Sequence, residues 1–299
     1  PHDVDGLKSN IALQQQVGVN TEFLDAQAVH ELAPYLNTDD VGGAAYEPDS
    51  GCADGAMATH AYANRAKTLG ATILQGVEAT AICAEGGRIT GVETRQGRFS
   101  APVVINAAGP WGARLAQQLG YDIPVEVSRH QVAVFQRPES LAASQHPFIG
   151  DFIQGFYLRP ETGRLTLAGS LEASEAANKA DPDNYVETVD MEFNMAMADL
   201  TEHRVPAMCE AEIRKGWAGL YDVTPDWHPI IGKMPGLDGF ICAFGWSGSG
   251  FKMAPIVGEM IADLATGERR CPIDPHLFRY ERFAEGDLVE GRYAYSIMG

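Results

Sequence analysis

The sequence predicts a mixed α/β (α+β) fold on three observations. Residues 251–265 place apolar side chains in one stripe at helical spacing, and residues 54–69 are rich in alanine and stop at Gly70. Residues 125–136 alternate aromatic or β-branched side chains with polar ones, which is typical of an antiparallel sheet. Residues 103–105 form a short apolar run that leads into small residues and a helix start, as strands of α/β sheets do.

The first part of the chain contains helices and several short strands. Residues 10–34 are helical in character, with Asp25 as a candidate N-cap and Pro34 as a stop. A helix is predicted over residues 54–69, and another over residues 110–119, where proline comes first and glycine follows the end. The strands predicted between these two helices are 71–74, 77–84, 87–94, 98–99 and 103–105.

The middle of the chain is expected to form a separate sheet domain. Residues 125–136, 148–158 and 164–169 share the alternating pattern, a long helix is predicted over residues 188–202, and residues 211–221 return to strand. The last helix ends before glycine, and its apolar stripe consists of Ile256, Val257, Met260, Ile261 and Leu264.

Charge and composition exclude several classes of protein. A net charge of −18, from 22 basic and 40 acidic residues, repels phosphate backbones and anionic lipid, so no nucleic-acid partner is expected. The longest apolar stretches fall well short of the roughly 18 residues that a membrane span needs. The five cysteines are far apart and form no C-x-x-C pair, which favours reduced thiols in a cytoplasmic protein over disulfides or a zinc site.

Small residues follow the predicted strand of residues 103–105. Ala107, Ala108 and Gly109 lie where α/β sheets bind nucleotides, because small side chains let a ligand approach the backbone. A tight strand-to-helix turn would use the same residues, so both interpretations stay open.

A second glycine-rich segment opens the last helix. Residues 245–252 read Gly-Trp-Ser-Gly-Ser-Gly-Phe-Lys, and the amides and dipole of the helix start can hold an anion or a developing negative charge. A purely structural turn is the alternative. A phosphate-binding Walker loop is excluded, because Phe251 separates the last glycine from Lys252.

Residues 222–232 contain a turn, Thr224-Pro-Asp226, that follows a strand. Thr224 and Asp226 can bond local backbone amides, so turn stabilisation is the favoured role. The sequence contains no Gly-x-Ser-x-Gly elbow and no His-Glu-x-x-His pair. Hydrolytic and metal-dependent functions are therefore not predicted, and no metal ligands are proposed.

Three separated motifs resemble one family. Glu47-Pro-Asp-Ser-Gly51 comes first, Ala-Ala-Gly-Pro-Trp111 second, and third the pairing of Thr224-Pro-Asp-x-x-Pro-Ile-Ile-Gly232 with the segment of residues 245–252. In this order they resemble the D-amino-acid oxidase (DAO) family of FAD-dependent oxidoreductases. The nearest branch is that of sarcosine oxidase, the sarcosine oxidase beta subunit and dimethylglycine dehydrogenase, where Trp-Ala-Gly-x-Tyr-Asp-x-Thr-Pro-Asp recurs.

The resemblance implies an FAD-binding, Rossmann-like domain interleaved in sequence with a substrate domain built on a large antiparallel β-sheet. Residues 50–125 and 215–280 would form the first, residues 1–49 and 126–214 the second, and residues 281–299 a C-terminal tail. The cofactor-binding positions that it implies are Val77, Ala107, Ala108, Gly109, Trp111, Gly219, Gly248, Ser249, Gly250, Phe251 and Lys252.

The chemistry implied by the resemblance is hydride transfer to flavin N5 from a carbon attached to nitrogen. The cofactor performs the difficult step, while the protein positions the substrate and stabilises the reduced flavin. Lys252 matches a lysine that helps to bind the substrate carboxylate in sarcosine-oxidising members. Tyr221 falls where those members have tyrosine and glycine oxidases have arginine, which favours N-methylated or secondary amino acids such as sarcosine, dimethylglycine or proline.

Two departures from the family refine this expectation. The cysteine that carries flavin covalently in monomeric sarcosine oxidase falls at Gly219, so FAD is expected to be non-covalent. The lysine linked to oxygen reactivity in the oxidases falls at about Thr166, so the alternative to an oxidase is a dehydrogenase that passes electrons to another acceptor or a partner subunit.

A third departure concerns the front of the chain, which opens at Pro1 without an initiator methionine. Nothing before Asn10 resembles the strand, Gly-x-Gly-x-x-Gly and helix with which the family begins. That segment is expected upstream in the gene product or on another chain. The alternatives are a non-catalytic remnant or subunit of such an enzyme, and a flavoenzyme of the D-amino-acid or glycerol-3-phosphate dehydrogenase type.

Overall fold

The structure is a computed structural model that describes residues 4–141 and 146–290, within which the chain forms four sheets. The helices are α1 (Val4–Gln16), α2 (Ala26–Leu32), α3 (Gly55–Thr68), α4 (Gly112–Gln117), α5 (Met191–Arg204), α6 (Gly250–Thr266) and α7 (Arg282–Glu285). The strands are β1 (Glu22–Leu24), β2 (Ala44–Tyr46), β3 (Ala79–Glu85), β4 (Arg88–Thr94), β5 (Gly97–Ser100), β6 (Val104–Asn106), β7 (Glu126–Gln136), β8 (Ile149–Asp151), β9 (Phe156–Glu161), β10 (Leu165–Ser170), β11 (Glu212–Val223), β12 (Ile230–Lys233) and β13 (Phe240–Phe244).

The largest sheet has five antiparallel strands in the order β11-β7-β10-β9-β8. Because side chains alternate along a strand, the pairing register assigns each residue to one of two faces. The site face carries Tyr221, Gly219, His130, Tyr157 and Arg159. The core face carries Ala133, Phe135, Phe156, Leu158 and Ala168.

The core face of the large sheet packs against the helical segment that begins with α5. Phe135 and Phe156 are buried together with Met197 of α5 and Met208 of the following turn. Burial of these apolar side chains stabilises the packing of the sheet on α5. The opposite face of the sheet is not used in this packing and can form a site.

The second core surrounds a small sheet in the order β12-β13-β6, in which β13 pairs antiparallel to β12 and parallel to β6. All five residues of β13 are buried, and Phe240 and Phe244 pack with Ala116 of α4. On its other side, Ile231 of β12 packs against Val257 of α6. The carboxyl ends of β6 and β13 therefore lie at one edge, which is where α6 begins.

Helix α3 and strand β6 of this sheet keep apolar side chains exposed. No residue of α3 is buried, and Met57 and Tyr62 are among its exposed large hydrophobics. Within the described part of the chain β6 is an edge strand, with Ile105 exposed. The remaining sheets are the pair β1-β2 and the antiparallel β3-β4-β5.

The predicted mixed α/β fold class, with helices and a large antiparallel sheet, is confirmed. Several element boundaries are corrected. Residues 10–34 are not one helix but α1, β1 and α2, with Asp25 capping α2 through a 2.9 Å bond from Ala28 N to Oδ1. Residues 71–74 lie outside any strand, and the helix expected over 110–119 is a 3-10 turn followed by the short α4.

The predicted C-terminal tail is described only as far as residue 290. In that part Arg282 of α7 is fully buried, and its guanidinium bonds Asp226 of the Thr-Pro-Asp turn. Residues 281–290 are thus attached to the β11–β12 connection. The other predicted domain boundaries remain predictions. Among the described residues, no helix combines the length and the apolar character that crossing a bilayer requires.

Candidate active site

The site is assembled where the end of β11 meets the loop between β13 and α6. The buried carboxylate of Asp222 accepts hydrogen bonds from the backbone N–H of Gly245 at 2.6 Å and of Trp246 at 3.1 Å. Burial raises the pKa of Asp222, and these backbone bonds oppose that change. The N–H of Ser247 also donates to the Asp222 carbonyl at 3.0 Å, so the loop is held against the end of β11.

Gly248 brings this loop against the ring of Tyr221. Its φ of +92° is a left-handed conformation that favours glycine, and a Cβ added there would lie 2.5 Å from the Tyr221 ring. Both the backbone conformation and the close approach therefore require glycine at this position.

The first turn of α6 follows directly. Ser249 is the N-cap residue and makes no side-chain cap bond, and Gly250, Phe251 and Lys252 form the start of the helix. A helix of this length presents N–H groups and a partial positive charge at its N-terminus. Partial desolvation lowers the pKa of Lys252 although its side chain is exposed, and the Glu47 carboxylate opposes that change. The region suits an anionic group.

Tyr221 and His130 form a stacked pair on the site face. Their ring centroids are 3.8 Å apart with an interplanar angle of 19°. Burial lowers the pKa of His130 to about 4 and raises the pKa of Tyr221. At neutral pH the imidazole is therefore uncharged, and the phenol keeps its proton and can donate a hydrogen bond.

Tyr157 and Arg159 continue the site face on β9. Burial raises the pKa of Tyr157 to about 12, with Tyr221 adding to the rise and Arg159 opposing it. Gly169, its partner on β10, leaves room for the Tyr157 ring, since a Cβ there would lie 2.5 Å from a ring carbon. The Arg159 guanidinium pairs with Glu161 at 2.6 Å.

A cavity of about 1310 Å³ lies beside this row of residues. Its wall includes Glu47, Arg159 and Phe148, the last of which stacks on Tyr157 at 5.7 Å between centroids. Tyr221 and Lys252 do not line it. Two residues of the cavity wall lie close enough to the candidate site to change pKa values there. The Glu47 carboxylate acts to raise the pKa of Lys252, and the Arg159 guanidinium acts to lower the pKa of Tyr157. The cavity is therefore adjacent to the candidate site.

The turn after β6 offers an accessible backbone at the same edge of the small sheet. Buried Asn106 holds the turn by donating from Nδ2 to the Gly112 carbonyl at 2.8 Å. Ala107 is exposed, Ala108 is half-buried, and a Cβ at Gly109, where φ is +51°, would meet nothing within 4 Å. A ligand can approach this backbone, so the small residues fit a dinucleotide at the strand end.

The predicted cofactor residues fall into three places. Gly219 and Gly248–Lys252 lie with Tyr221, and Ala107, Ala108 and Gly109 lie at the end of β6 beside β13. Trp111 belongs to the second place, since it ends the 3-10 turn Gly109–Trp111; it is 41 % exposed and its indole N–H donates to Asp183 at 2.7 Å. Val77 precedes β3 in another sheet and is half-buried, so the structure does not bring it together with the Tyr221 group.

His130, Tyr157 and Arg159 were not predicted from the sequence. The alternating pattern of β7 and β9 separates the residues of each strand into two faces, and these three residues lie on the same one. The pattern does not indicate which of the two faces is buried against α5. Thr166, the position at which the oxidase lysine was expected to fall, lies on the core face, where its Oγ1 is hydrogen-bonded to His146 Nε2 at 2.9 Å. The residues of β10 on the site face are Leu165, Leu167 and Gly169, so this strand presents no lysine on that face.

Comparison with known proteins identifies the family to which this chain belongs. The family model described as DAO, FAD dependent oxidoreductase, matches residues 1–264. The chain belongs to the DAO family of FAD-dependent oxidoreductases. The predicted resemblance is thereby confirmed.

Individual relatives of this DAO-family chain agree with the assignment. It is 27% identical to the sarcosine oxidase subunit beta of Arthrobacter sp, over 91% of this chain and 66% of that protein. It is 28% identical to the mitochondrial sarcosine dehydrogenase of Homo sapiens, over 87% of this chain and 29% of that protein. The chain therefore spans less than two thirds of these relatives.

Solved structures share the fold. L-proline dehydrogenase from P. horikoshii superposes with a TM-score of 0.86 at 31% identity, covering 96% of this chain and 75% of the other. Glycine oxidase from Geobacillus kaustophilus gives a TM-score of 0.79 at 24% identity, covering 94% and 72%, and supports the fold alone.

Proposed function

We propose that this chain serves an FAD-dependent enzyme that oxidises a small amine or amino acid of the sarcosine, dimethylglycine or proline type. The observation that carries the proposal is the junction made by Asp222, which holds Tyr221 next to the loop that opens α6, with Lys252 in the first turn. The printed names of the relatives, which include sarcosine and proline dehydrogenases, support the same substrate class.

FAD is proposed to bind non-covalently along the edge where β6, β13 and α6 meet. The exposed backbone of residues 107–109 would hold part of the dinucleotide, and the N–H groups at the start of α6 would face the flavin end. Gly219 has no nucleophile, so it offers no covalent attachment. When bound, FAD supplies the acceptor at N5 for the hydride that leaves the substrate carbon.

The substrate is proposed to lie between Lys252 and the site face. The Lys252 ammonium would bind a carboxylate, and the start of α6 would add a second positive end. The protonated hydroxyl groups of Tyr221 and Tyr157 would donate hydrogen bonds and orient the amine-bearing carbon. Electrons would leave to an acceptor other than oxygen or to a partner subunit. The reason is that β10, where the oxidases are expected to have the lysine linked to oxygen reactivity, presents Leu165 and Leu167 on the site face instead.

The test is reduction of the flavin in the full gene product that contains this chain. Its flavin absorbance should bleach without oxygen when sarcosine, dimethylglycine or proline is added. A colourless gene product that remains inert to added FAD would contradict the proposal and favour a non-catalytic remnant.

Lys252→Met tests the assigned carboxylate contact. Because a hydrogen bond to a charged group contributes about 1.5–3 kcal/mol, the substrate concentration for half-maximal flavin reduction should rise by about tenfold to a hundredfold. An N-methyl amine without a carboxylate should be unaffected. Lys233→Met, at an exposed position on β12, is the control; equal kinetics of the wild type and Lys252→Met would remove Lys252 from the site.

A further inference from the structure

The pairing of β7 with β11 leaves an opening opposite His130. The register pairs His130 with Gly219 and Ser128 with Tyr221. A Cβ at Gly219 would meet nothing within 4 Å. Since no side chain stands opposite it, the His130 ring can lie diagonally across the two strands and stack on Tyr221.

The Tyr221 ring is then held on two sides. The imidazole covers one side at a centroid distance of 3.8 Å, and the backbone of Gly248 lies against the ring edge, where a Cβ would come within 2.5 Å of Cε2. A ring held in this way has one orientation, so the direction of its hydroxyl group is fixed before a substrate arrives.

The imidazole is itself fixed. Its Nε2 shares a 2.9 Å hydrogen bond with Oγ of Ser128, which is fully buried. Burial is the cause of its lowered pKa, so the ring stays neutral at physiological pH. A neutral ring stacks on the phenol without adding a positive charge beside the site, where Lys252 already supplies one.

We propose that His130 is a positioning residue that sets the orientation of the Tyr221 phenol through the stack and the Ser128 bond. The inference deepens the proposed function and rests on it. His130 acts only through Tyr221, and this distinguishes it from a residue that merely stabilises the sheet.

The experiment is a double-mutant cycle on the rate constant of flavin reduction by saturating substrate, normalised to bound flavin. His130→Leu, which removes both the stack and the Ser128 bond, should lower that rate constant by about tenfold. His130→Phe, which keeps a stacked ring and loses only the Ser128 bond, should stay within about threefold of wild type. In the Tyr221→Phe background, His130→Leu should cause no further loss, because no hydroxyl is left to orient. His30→Leu, at an exposed position on α2, is the control.

Two results would overturn the proposal: an unchanged rate in His130→Leu, or losses from the two single variants that multiply in the double variant. A readout independent of catalysis accompanies the cycle. In the NMR spectrum of the full gene product, ring current from Tyr221 should shift the His130 carbon-bound protons upfield, and Tyr221→Leu should abolish the shift. A wild-type protein whose flavin no amine reduces would contradict the proposed function. Absence of the upfield shift of the His130 protons would contradict this inference, whether or not the flavin is reduced.

Discussion

Three residues of the candidate site, Gly248, Tyr221 and His130, are in close contact through the Tyr221 ring. Gly248 has a left-handed backbone and touches the ring of Tyr221. Tyr221 in turn lies between Gly248 and His130. A bulkier residue at Gly248 would therefore displace the Tyr221 ring, which is stacked on His130.

Gly248→Ala should therefore cost about 2 kcal/mol of unfolding free energy, because the methyl group is strained by the backbone and overlaps the ring. It should also slow flavin reduction. Gly258→Ala is the matched control on α6, where a Cβ meets nothing within 4 Å, and it should raise stability by about 0.5–1 kcal/mol. Urea unfolding of both variants measures the difference, and equal stabilities would contradict the argument.

At this scale the sequence predicted part of the candidate site. Lys252, Tyr221 and the glycines next to them are recognisable because they lie in contiguous motifs. His130 and Tyr157 are not, because their role depends on which face of a strand is buried. Thr166 illustrates the difficulty: an offset of one residue along a strand exchanges the core face for the site face.

At the scale of elements, the loop between β13 and α6 depends on one carboxylate in a different strand. Asp222 accepts hydrogen bonds from the buried backbone N–H of Gly245 and from the partly buried backbone N–H of Trp246. The start of α6, and with it the proposed flavin contact, is thereby fixed relative to the large sheet.

Asp222→Ala should lower the unfolding free energy by about 3 kcal/mol, since the buried N–H of Gly245 and the partly buried N–H of Trp246 lose their acceptor. Asp238→Ala is the matched control, because Asp238 forms an exposed ion pair with Arg88 and its loss should cost less than about 1 kcal/mol. Thermal or urea unfolding gives the energies. Amide hydrogen exchange at Gly245 and Trp246 should speed up only in Asp222→Ala, and unchanged exchange there would contradict the role assigned to the carboxylate.

Helices with clear ends were the elements that the sequence predicted best. Both α3 and α6 match their predicted ranges within one or two residues, because Asp54 caps the first and Gly267 ends the second. The segment of residues 71–74 was predicted as strand from its composition alone. No neighbouring strand pairs with it in the described part of the chain, and a strand exists only through its partner.

At the scale of the whole molecule, one buried ion pair attaches the C-terminal segment to the site-bearing strands. Arg282 is fully buried and donates to both carboxylate oxygens of Asp226, at 2.7 and 2.9 Å. Burial acts to raise the pKa of Asp226, but the bonds and charge of Arg282, together with the backbone N–H groups of Val289 and His228, outweigh it, and the net pKa is about 2. As predicted, the aspartate of the Thr-Pro-Asp turn accepts a local hydrogen bond, from the backbone N–H of His228 at 3.2 Å. It is also bonded to Arg282, 56 positions away.

Arg282→Met should cost about 3–5 kcal/mol at pH 7, because Asp226 is left charged and buried. The cost should shrink as pH falls, since Asp226 in the variant takes up a proton more readily. In the wild type a carboxyl with a lowered pKa contributes stability above its unfolded value, and that stability is lost only as pH falls towards about 2. Urea unfolding at pH 7 and pH 4.5 should therefore show a smaller difference between the two proteins at pH 4.5.

The control for this pair is the double variant Asp226→Asn with Arg282→Met. It should recover part of the stability at pH 7 and depend little on pH, because no charge is buried without a partner. A single variant whose penalty is the same at both pH values would show that the charge of Asp226 is not the cause.

The exposed apolar residues of α3 and β6 have a consequence for the protein in concentrated solution. Sheet edges and exposed apolar side chains attract other copies of a chain, whereas a net charge of −18 repels them. Salt shortens the range of that repulsion from about 10 Å at 0.1 M to about 3 Å at 1 M, and it leaves the apolar attraction in force. Colloidal stability is thus greatest at low ionic strength, where the acidic surface keeps the molecules apart.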